Sequence, residues 1–195
     1  MRNITTAWLR AIAKGGMLMG GMLAFAHAAP PAAPDVTIPT CNLQSGQTVV
    51  DFGAHTRAQV SSVQGGMSPG ERQITVTAVC SVSQVLKLRF AGAQRNGQFA
   101  FGAAGYQKVM VMSAQVDGQP VMLALQKKGA ESLGESQTSL TLEPQDVLVP
   151  VKNGEPVTGR QLMVIVAVMP VLHDEETRPA ARTQTAEWLR LELVR

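Results

Sequence analysis

The sequence predicts an all-β fold: an antiparallel β-sandwich that follows an export signal and contains one disulfide bond. Three observations predict it. Apolar and polar residues alternate along many short segments, turn dipeptides separate these segments, and a basic and then apolar stretch opens the chain. Only this opening stretch has a sustained helical pattern. The remaining length suits a single domain.

The start of the chain has the features of a secretory signal peptide. Three basic side chains precede an uncharged stretch, residues 15–25, which is too short and too rich in glycine to span a membrane. The small-x-small sequence Ala26-His27-Ala28 then provides a cleavage site. We therefore expect residues 1–28 to be removed during export through the inner membrane.

The charge of the mature chain argues against a nucleic-acid partner. The whole sequence has 17 Lys and Arg residues against 14 Asp and Glu residues. Three of the 17 basic residues, and none of the acidic ones, lie in residues 1–28, which leaves 14 of each in the mature chain. Its longest basic run is Lys127-Lys128, whereas nucleic-acid binding requires a clustered positive surface.

The two cysteines of the chain are predicted to form a disulfide bond. Cys41 and Cys80 both lie in the exported part, and an even pair in an oxidising compartment is most simply a disulfide. A zinc site would need more ligands, and His55 and His173 do not have metal-ligand spacing. A bond that closes a loop of about forty residues stabilises a fold by ~4 kcal/mol on the chain-entropy model.

Period-two alternation gives the predicted strands of the sandwich. In one of them Ile74, Val76, Ala78 and Cys80 share a face, and in the next Leu86, Leu88 and Phe90 do so. The predicted strands are residues 48–52, 72–80, 85–90, 106–116, 120–125, 139–142, 146–151, 160–172 and 186–194.

Turn chemistry supports the antiparallel arrangement. Asn96-Gly97, Asp117-Gly118 and Asn153-Gly154 are dipeptides that favour positive φ and therefore tight hairpin turns. Pro69-Gly70 marks another turn, and residues 129–137 are predicted to form a loop.

The order of these features resembles that of a pilin subunit of the chaperone–usher pathway. A cysteine is followed by a segment that ends in Val50-Asp51-Phe52-Gly53, then by a second cysteine and the sequence VLKLRF. VDGQPVMLAL resembles the middle hairpin of that family, and AEWLRLELVR resembles its C-terminal strand. The resemblance covers nearly all of the mature chain, in which residues 41–195 are the predicted pilin-like domain.

This resemblance implies an immunoglobulin-like sandwich that lacks its final strand. The missing strand leaves a hydrophobic groove along one edge. The expected partners are a periplasmic chaperone, an outer-membrane usher and neighbouring pilin subunits. A strand of the chaperone fills the groove first, and the N-terminal extension of a neighbouring subunit then replaces it. The expected location is the periplasm in transit and then a fimbrium on the cell surface, with a host surface receptor as a further candidate partner. Leu189, Leu191 and Leu193 share one face of the final predicted strand, after which no closing strand follows, and we expect them to face this groove.

The segment before Cys41 is the candidate donor strand for a neighbouring subunit. Residues 29–40 are rich in proline, which lacks the N–H that a ladder requires. Only Val36 and Ile38 alternate as a donor strand would need. We therefore expect a weak donor, and hence a minor or tip-located subunit.

A competing interpretation is a monomeric periplasmic sandwich that binds a ligand or copper. Cu(I) prefers soft thioether ligands, and Met110, Met112, Met122, Met163 and Met169 lie within predicted strands. The position of these methionines inside valine-rich strands favours a role in core packing over copper binding. We expect no metal, no cofactor and no enzymatic activity, since the sequence shows no nucleophile–base motif and no phosphate-binding motif.

Overall fold

Strands with alternating buried and exposed side chains build the part of the chain that the structure describes. This structure is a computed structural model that describes residues 40–178 and 184–194. The strands are β1 (Cys41–Ser45), β2 (Ser61–Val63), β3 (Gly66–Ser68), β4 (Arg72–Val85), β5 (Lys87–Gly92), β6 (Gln94–Arg95), β7 (Gln98–Ala100), β8 (Tyr106–Val116), β9 (Gln119–Gln126), β10 (Leu140–Leu142), β11 (Val147–Lys152), β12 (Glu155–Pro156), β13 (Thr158–Val171) and β14 (Leu189–Val194).

The described residues contain no α-helix and only short 3-10 segments, at Arg57–Gln59 and Asp174–Thr177. None of their helical segments has the length and apolar character required to cross a membrane. The predicted signal peptide, residues 1–28, and the candidate donor residues Val36 and Ile38 lie outside the described residues.

The strands form two antiparallel layers that join at β9 into a nearly closed sandwich. The hydrogen-bonded order is β1-β4-β13-β8-β9-β11-β5-β14. β10 and β7 extend the first layer at β8, β12 pairs with β11, and β2 and β3 form a separate small hairpin. The predicted all-β antiparallel sandwich is confirmed.

The core lies between these layers and includes the residues that the alternation assigned to it in β4 and β5. Ile74, Val76, Ala78 and Cys80 of β4 are buried, as are Leu88 and Phe90 of β5. They pack in one cluster with the inward valines of β8 and β13. Within the described residues, every buried side-chain nitrogen or oxygen has a hydrogen-bond partner.

Three turn predictions are confirmed by backbone geometry. The first residue of each dipeptide has a positive φ: 50° at Asn96, 49° at Asp117 and 53° at Asn153. The glycine that follows each of them also has a positive φ. Such turns match the twist of the flanking strands and therefore connect β6 to β7, β8 to β9 and β11 to β12.

One predicted strand is absent, and another begins later than predicted. Residues 48–52 form no strand, although Val50 and Phe52 pack against the core and Val49 is 75% exposed. The reason is local: the N–H of Gly53 donates to the Asp51 carboxylate at 2.7 Å, which makes an Asx turn of the Asp-Phe-Gly sequence. The last strand begins at Leu189 rather than at residue 186, and the preceding Trp188 is 88% exposed.

The prediction that the methionines are mostly core is also wrong. Met112 and Met122 are 38% and 36% exposed, and Met110, Met163 and Met169 are half-buried. Each lies beside a buried valine or leucine on its strand, so the alternation turns the methionine outward.

Candidate functional site

Strand β1 forms one edge of the sandwich and presents alternate side chains to the core. Cys41 and Leu43 are half-buried and pack against the core, whereas Asn42 and Gln44 are exposed. Among the described strands β1 pairs only with β4. Its other side therefore offers a row of backbone N–H and C=O groups for a further strand.

Strand β14 forms the opposite edge and has the same two-sided character. Leu189, Leu191 and Leu193 are half-buried and pack against the core, opposite Gly92, Phe90 and Leu88 of β5. The outward side of β14 is charged, since Arg190 and Glu192 form an ion pair at 3.0 Å. The only described partner of β14 is β5.

The two edges meet at a pocket of about 170 Å³. Cys41, at the start of β1, and Leu193 and Val194, at the end of β14, line it together with Val85 and buried Leu86. No pairing joins β1 to β14 within the described residues. We call the region between these two edge strands, with Cys41 and Leu43 on β1 and Leu189, Leu191 and Leu193 on β14, the β1–β14 groove.

A disulfide bond holds the β1 side of this groove in place. Cys41 and Cys80 are bonded, and their Cα atoms lie 4.1 Å apart as register partners of β1 and β4. The predicted disulfide is therefore confirmed. The side-chain amide of Gln84 donates to both sulfur atoms, at 2.7 Å and 3.0 Å. Because β1 has only five residues, this bond fixes a strand that would otherwise be held by one short ladder.

The groove contains no side chains suited to catalysis. Its lining is leucine, valine and the disulfide, with Gln84 as the polar neighbour. The described residues contain no group of three His, Cys, Asp or Glu side chains that could hold a metal ion. His55 contacts the carbonyl of Phe52, and His173 lies exposed at the start of a 3-10 segment. The arrangement can bind a chain through backbone hydrogen bonds and apolar side chains.

The ionisable groups with shifted pKa values lie in other parts of the sandwich. The Glu143 carboxylate, and with it that of Asp146, accepts a hydrogen bond from Lys127 and raises the pKa of this amine. The guanidinium of Arg57 lowers the pKa of the Asp174 carboxyl. Both groups link loops to each other, so their charges serve local structure.

The outward methionines bear on the copper-binding alternative. Met163 lies opposite Thr77 and Gln115, Met110 opposite Thr141 and Ala167, and Met169 opposite Lys108. Among the described strands, no register pair joins two methionines. The absence of a copper site stays a prediction. It now rests on the lack of methionine–methionine register pairs and no longer on burial of the methionines in the core.

Sequence reasoning identified one side of the groove and missed the other. Leu189, Leu191 and Leu193 lie on the inward face of β14, as their spacing predicted. Cys41 and Leu43 were missed as groove residues. The alternation of Cys41, Leu43 and Ser45 could have revealed β1, but five residues are a weak signal.

No protein-family model matches this chain, and no curated protein matches it.

Proposed function

We propose that this protein is a structural and assembly subunit of a surface fimbria, incorporated by donor-strand complementation through a chaperone and an usher. The β1–β14 groove is the observation that carries the proposal. Both strands that flank it have free ladder edges among the described residues, and both pack half-buried apolar side chains against the core beside the gap. A strand from another chain fits such a site, because strand addition combines backbone hydrogen bonds with alternate side-chain pockets.

The energetics favour a partner at this position. Full burial of a leucine side chain is worth about 1.5–3 kcal/mol relative to exposure in water. Leu43, Leu189, Leu191 and Leu193 are each half-buried, so an inserted strand would bury the remaining apolar surface of all four. Left uncovered, two free strand edges with apolar side chains invite aggregation.

The proposal assigns successive occupants to the groove. A periplasmic chaperone provides the first strand, and the N-terminal extension of a neighbouring pilin subunit replaces it at the outer-membrane usher. In this protein the equivalent extension is residues 29–40, in which Val36 and Ile38 are the alternating apolar residues. Its prolines support a subunit that receives a strand more readily than it donates one, and hence a minor or tip location in the fibre.

Co-expression with a periplasmic chaperone tests the proposal. We expect the wild-type chain to be recovered as a one-to-one complex and to be lost from the periplasm when the chaperone is omitted. Leu191→Asp should abolish the complex, because it places a charge in the groove without a partner.

A matched pair on β1 provides the control. Leu43→Asp should also abolish the complex, whereas Gln44→Asp should retain it, since Gln44 is exposed on the opposite face. Recovery of the wild-type chain as a stable, cooperatively unfolding monomer without a chaperone would overturn the proposal. It would favour the monomeric ligand- or copper-binding sandwich instead.

A further inference from the structure

The methionines of the mature chain lie outside its core. The sequence has ten methionines, of which four fall within residues 1–28, and the other six are all among the described residues. The buried apolar side chains of the described residues are those of valine, leucine, isoleucine, phenylalanine, alanine and one cysteine, with no methionine among them. Methionine is ordinarily one of the residue types most often buried. A role in core packing therefore does not explain these six residues.

Met112 of β8 is the most exposed of the six, at 38%. The register between β8 and β13 passes from Ser113 directly to Val111, so Met112 is the extra residue of a β-bulge. The ladders that join β8 to β9 and to β10 also leave Met112 without a register partner. A bulge bends its strand and changes the direction of a side chain. The Met112 thioether is thus exposed and has no cross-strand neighbour in these ladders.

The other methionines are less exposed or more constrained. Met122 is 36% exposed but lies opposite Val151 in the β9–β11 ladder. Met163 is half-buried and has register partners on both β4 and β8. Met67 is half-buried, and its sulfur accepts a hydrogen bond from the Ser62 hydroxyl at 3.4 Å. The structure therefore ranks Met112 first in accessibility and provides slower-reacting methionines for comparison in the same molecule.

An exposed thioether reacts with two-electron oxidants to give methionine sulfoxide. With hypochlorous acid, the sulfur gains one oxygen atom and loses two electrons, while the chlorine gains two electrons and leaves as chloride together with a proton. Thiols would react first, but Cys41 and Cys80 are bonded to each other and the protein has no free cysteine. The accessible thioethers are then the sulfur groups most open to such an oxidant.

The position of Met112 also determines what its oxidation does to the fold. A sulfoxide inside a core disrupts packing because it buries a polar group. The neighbouring Val111 is fully buried, whereas the Met112 side chain reaches solvent on the outer face of β8. Water can therefore hydrate a sulfoxide at Met112 while the core keeps its contacts.

We propose that Met112 is a modification site, oxidised to methionine sulfoxide by hypohalous acids, and that this change makes the outer face of β8 more polar without unfolding the sandwich. β8 contributes no residue to the β1–β14 groove. The inference is therefore independent of strand addition.

Limited oxidation of the purified mature chain, with its disulfide intact, tests the inference. The chain is used in the form in which it is recovered, alone or bound to a chaperone, and N-acetylmethionine is added as a fully accessible reference thioether. After a substoichiometric addition of hypochlorous acid, peptide mass spectrometry measures the oxygen gained at each methionine. We expect Met112 to be oxidised at least roughly threefold faster than Met163 and within about threefold of the rate of the reference, because susceptibility follows exposure.

Two further measurements examine the oxidised chain. Its resistance to trypsin should be unchanged, because the core is intact. Its retention on a hydrophobic-interaction column should fall, because a sulfoxide is more polar than a thioether. Loss of trypsin resistance on oxidation of Met112 would overturn the inference, since it would show that this side chain supports the packing.

Two leucine variants locate the effect. Met112→Leu should remove the fast-reacting site, leave oxidation of the other methionines unchanged and reduce the loss of retention on the column. Met163→Leu, which changes a half-buried methionine of β13, should leave the fast reaction and the loss of retention as they are in the parent chain. The inference is overturned if Met112 and Met163 are oxidised at equal rates, or if the loss of retention is undiminished in Met112→Leu.

Discussion

The bond between Cys41 and Cys80 determines how firmly the edge strand β1 is held. It crosses from β1 to β4 at a register pair and closes a loop with a sequence separation of 39. Replacement of both cysteines by serine should lower the free energy of unfolding by about 2–5 kcal/mol, measured by urea denaturation. An unchanged denaturation midpoint would show that β1 is held by its ladder and core contacts alone.

Gly159 is a second residue whose identity the packing dictates. It is buried beside a register shift in the β4–β13 ladder, and a Cβ atom there would lie 2.2 Å from Cγ1 of Val116. The neighbouring turn residue Asp117 accepts hydrogen bonds from the N–H groups of Arg160 and Gln161, at 3.0 Å and 2.8 Å, so the strands cannot separate easily.

We therefore expect Gly159→Ala to destabilise the domain by about 1–3 kcal/mol, as overpacking typically does. The control is Gly134→Ala, where the nearest atom to an added Cβ lies at 3.4 Å and φ is not positive. Thermal unfolding of the two variants should separate them clearly. Equal melting temperatures would mean that Val116 moves aside without cost.

The two 3-10 segments form an element-level link that depends on pH. Arg57 of the first segment pairs with Asp174 of the second at 2.5 Å, and Arg178 contacts the same carboxylate at 2.7 Å. Arg57 lowers the pKa of Asp174 below its ordinary value of 3.8. A lowered pKa means that the link stabilises the fold above pH 3.8 and is lost as the pH falls through the lower, folded-state value.

NMR titration of the Asp174 carboxyl should therefore give a midpoint below 3.8. The midpoint should rise toward the ordinary value in 1 M salt, because both side chains are substantially exposed and salt screens such pairs. Protection of the Arg57–Gln59 amides against hydrogen exchange should fall over the same pH range. An Asp174→Asn variant that retained this pH dependence would assign it to another group.

At the scale of the whole molecule, the described strands form a hydrogen-bonded path that ends at β1 on one side and at β14 on the other. If the β1–β14 groove lacks a strand, a strand supplied by the same chain should close it. We expect a variant with a flexible Gly/Ser linker and a segment of alternating Val and Ile after Arg195 to be more stable than the parent chain and monomeric. A second variant, with the same added residues rearranged so that the apolar side chains no longer alternate, should gain nothing.

Size-exclusion chromatography and denaturant unfolding measure both effects. The comparison isolates the groove, because the two variants have the same length and composition and differ in which side chains can enter alternate pockets. Equal stability of the two variants would show that the groove does not take up a strand.

Much of the fold was determined by the sequence, because its signals are local. The alternation of Ile74, Val76, Ala78 and Cys80 repeats with the two-residue period of a strand and identifies its buried face. Asn96-Gly97 and Asp117-Gly118 specify their turns through backbone preference within two residues. The disulfide followed from a count of two cysteines and an expected oxidising compartment.

The tertiary structure decided what depends on residues far apart in the chain. In the Val-Met runs of β8 both sets of side chains are apolar, and only packing against the other layer sent Val109 and Val111 inward and Met110 outward. Val50 and Phe52 lie beside an Asx turn and belong to no strand, although their alternation predicted one. Most of all, strand order placed β1 and β14 at the two ends of the path of described strands. Which strands lie beside one another depends on residues far apart in the chain, and no local pattern within a strand encodes it.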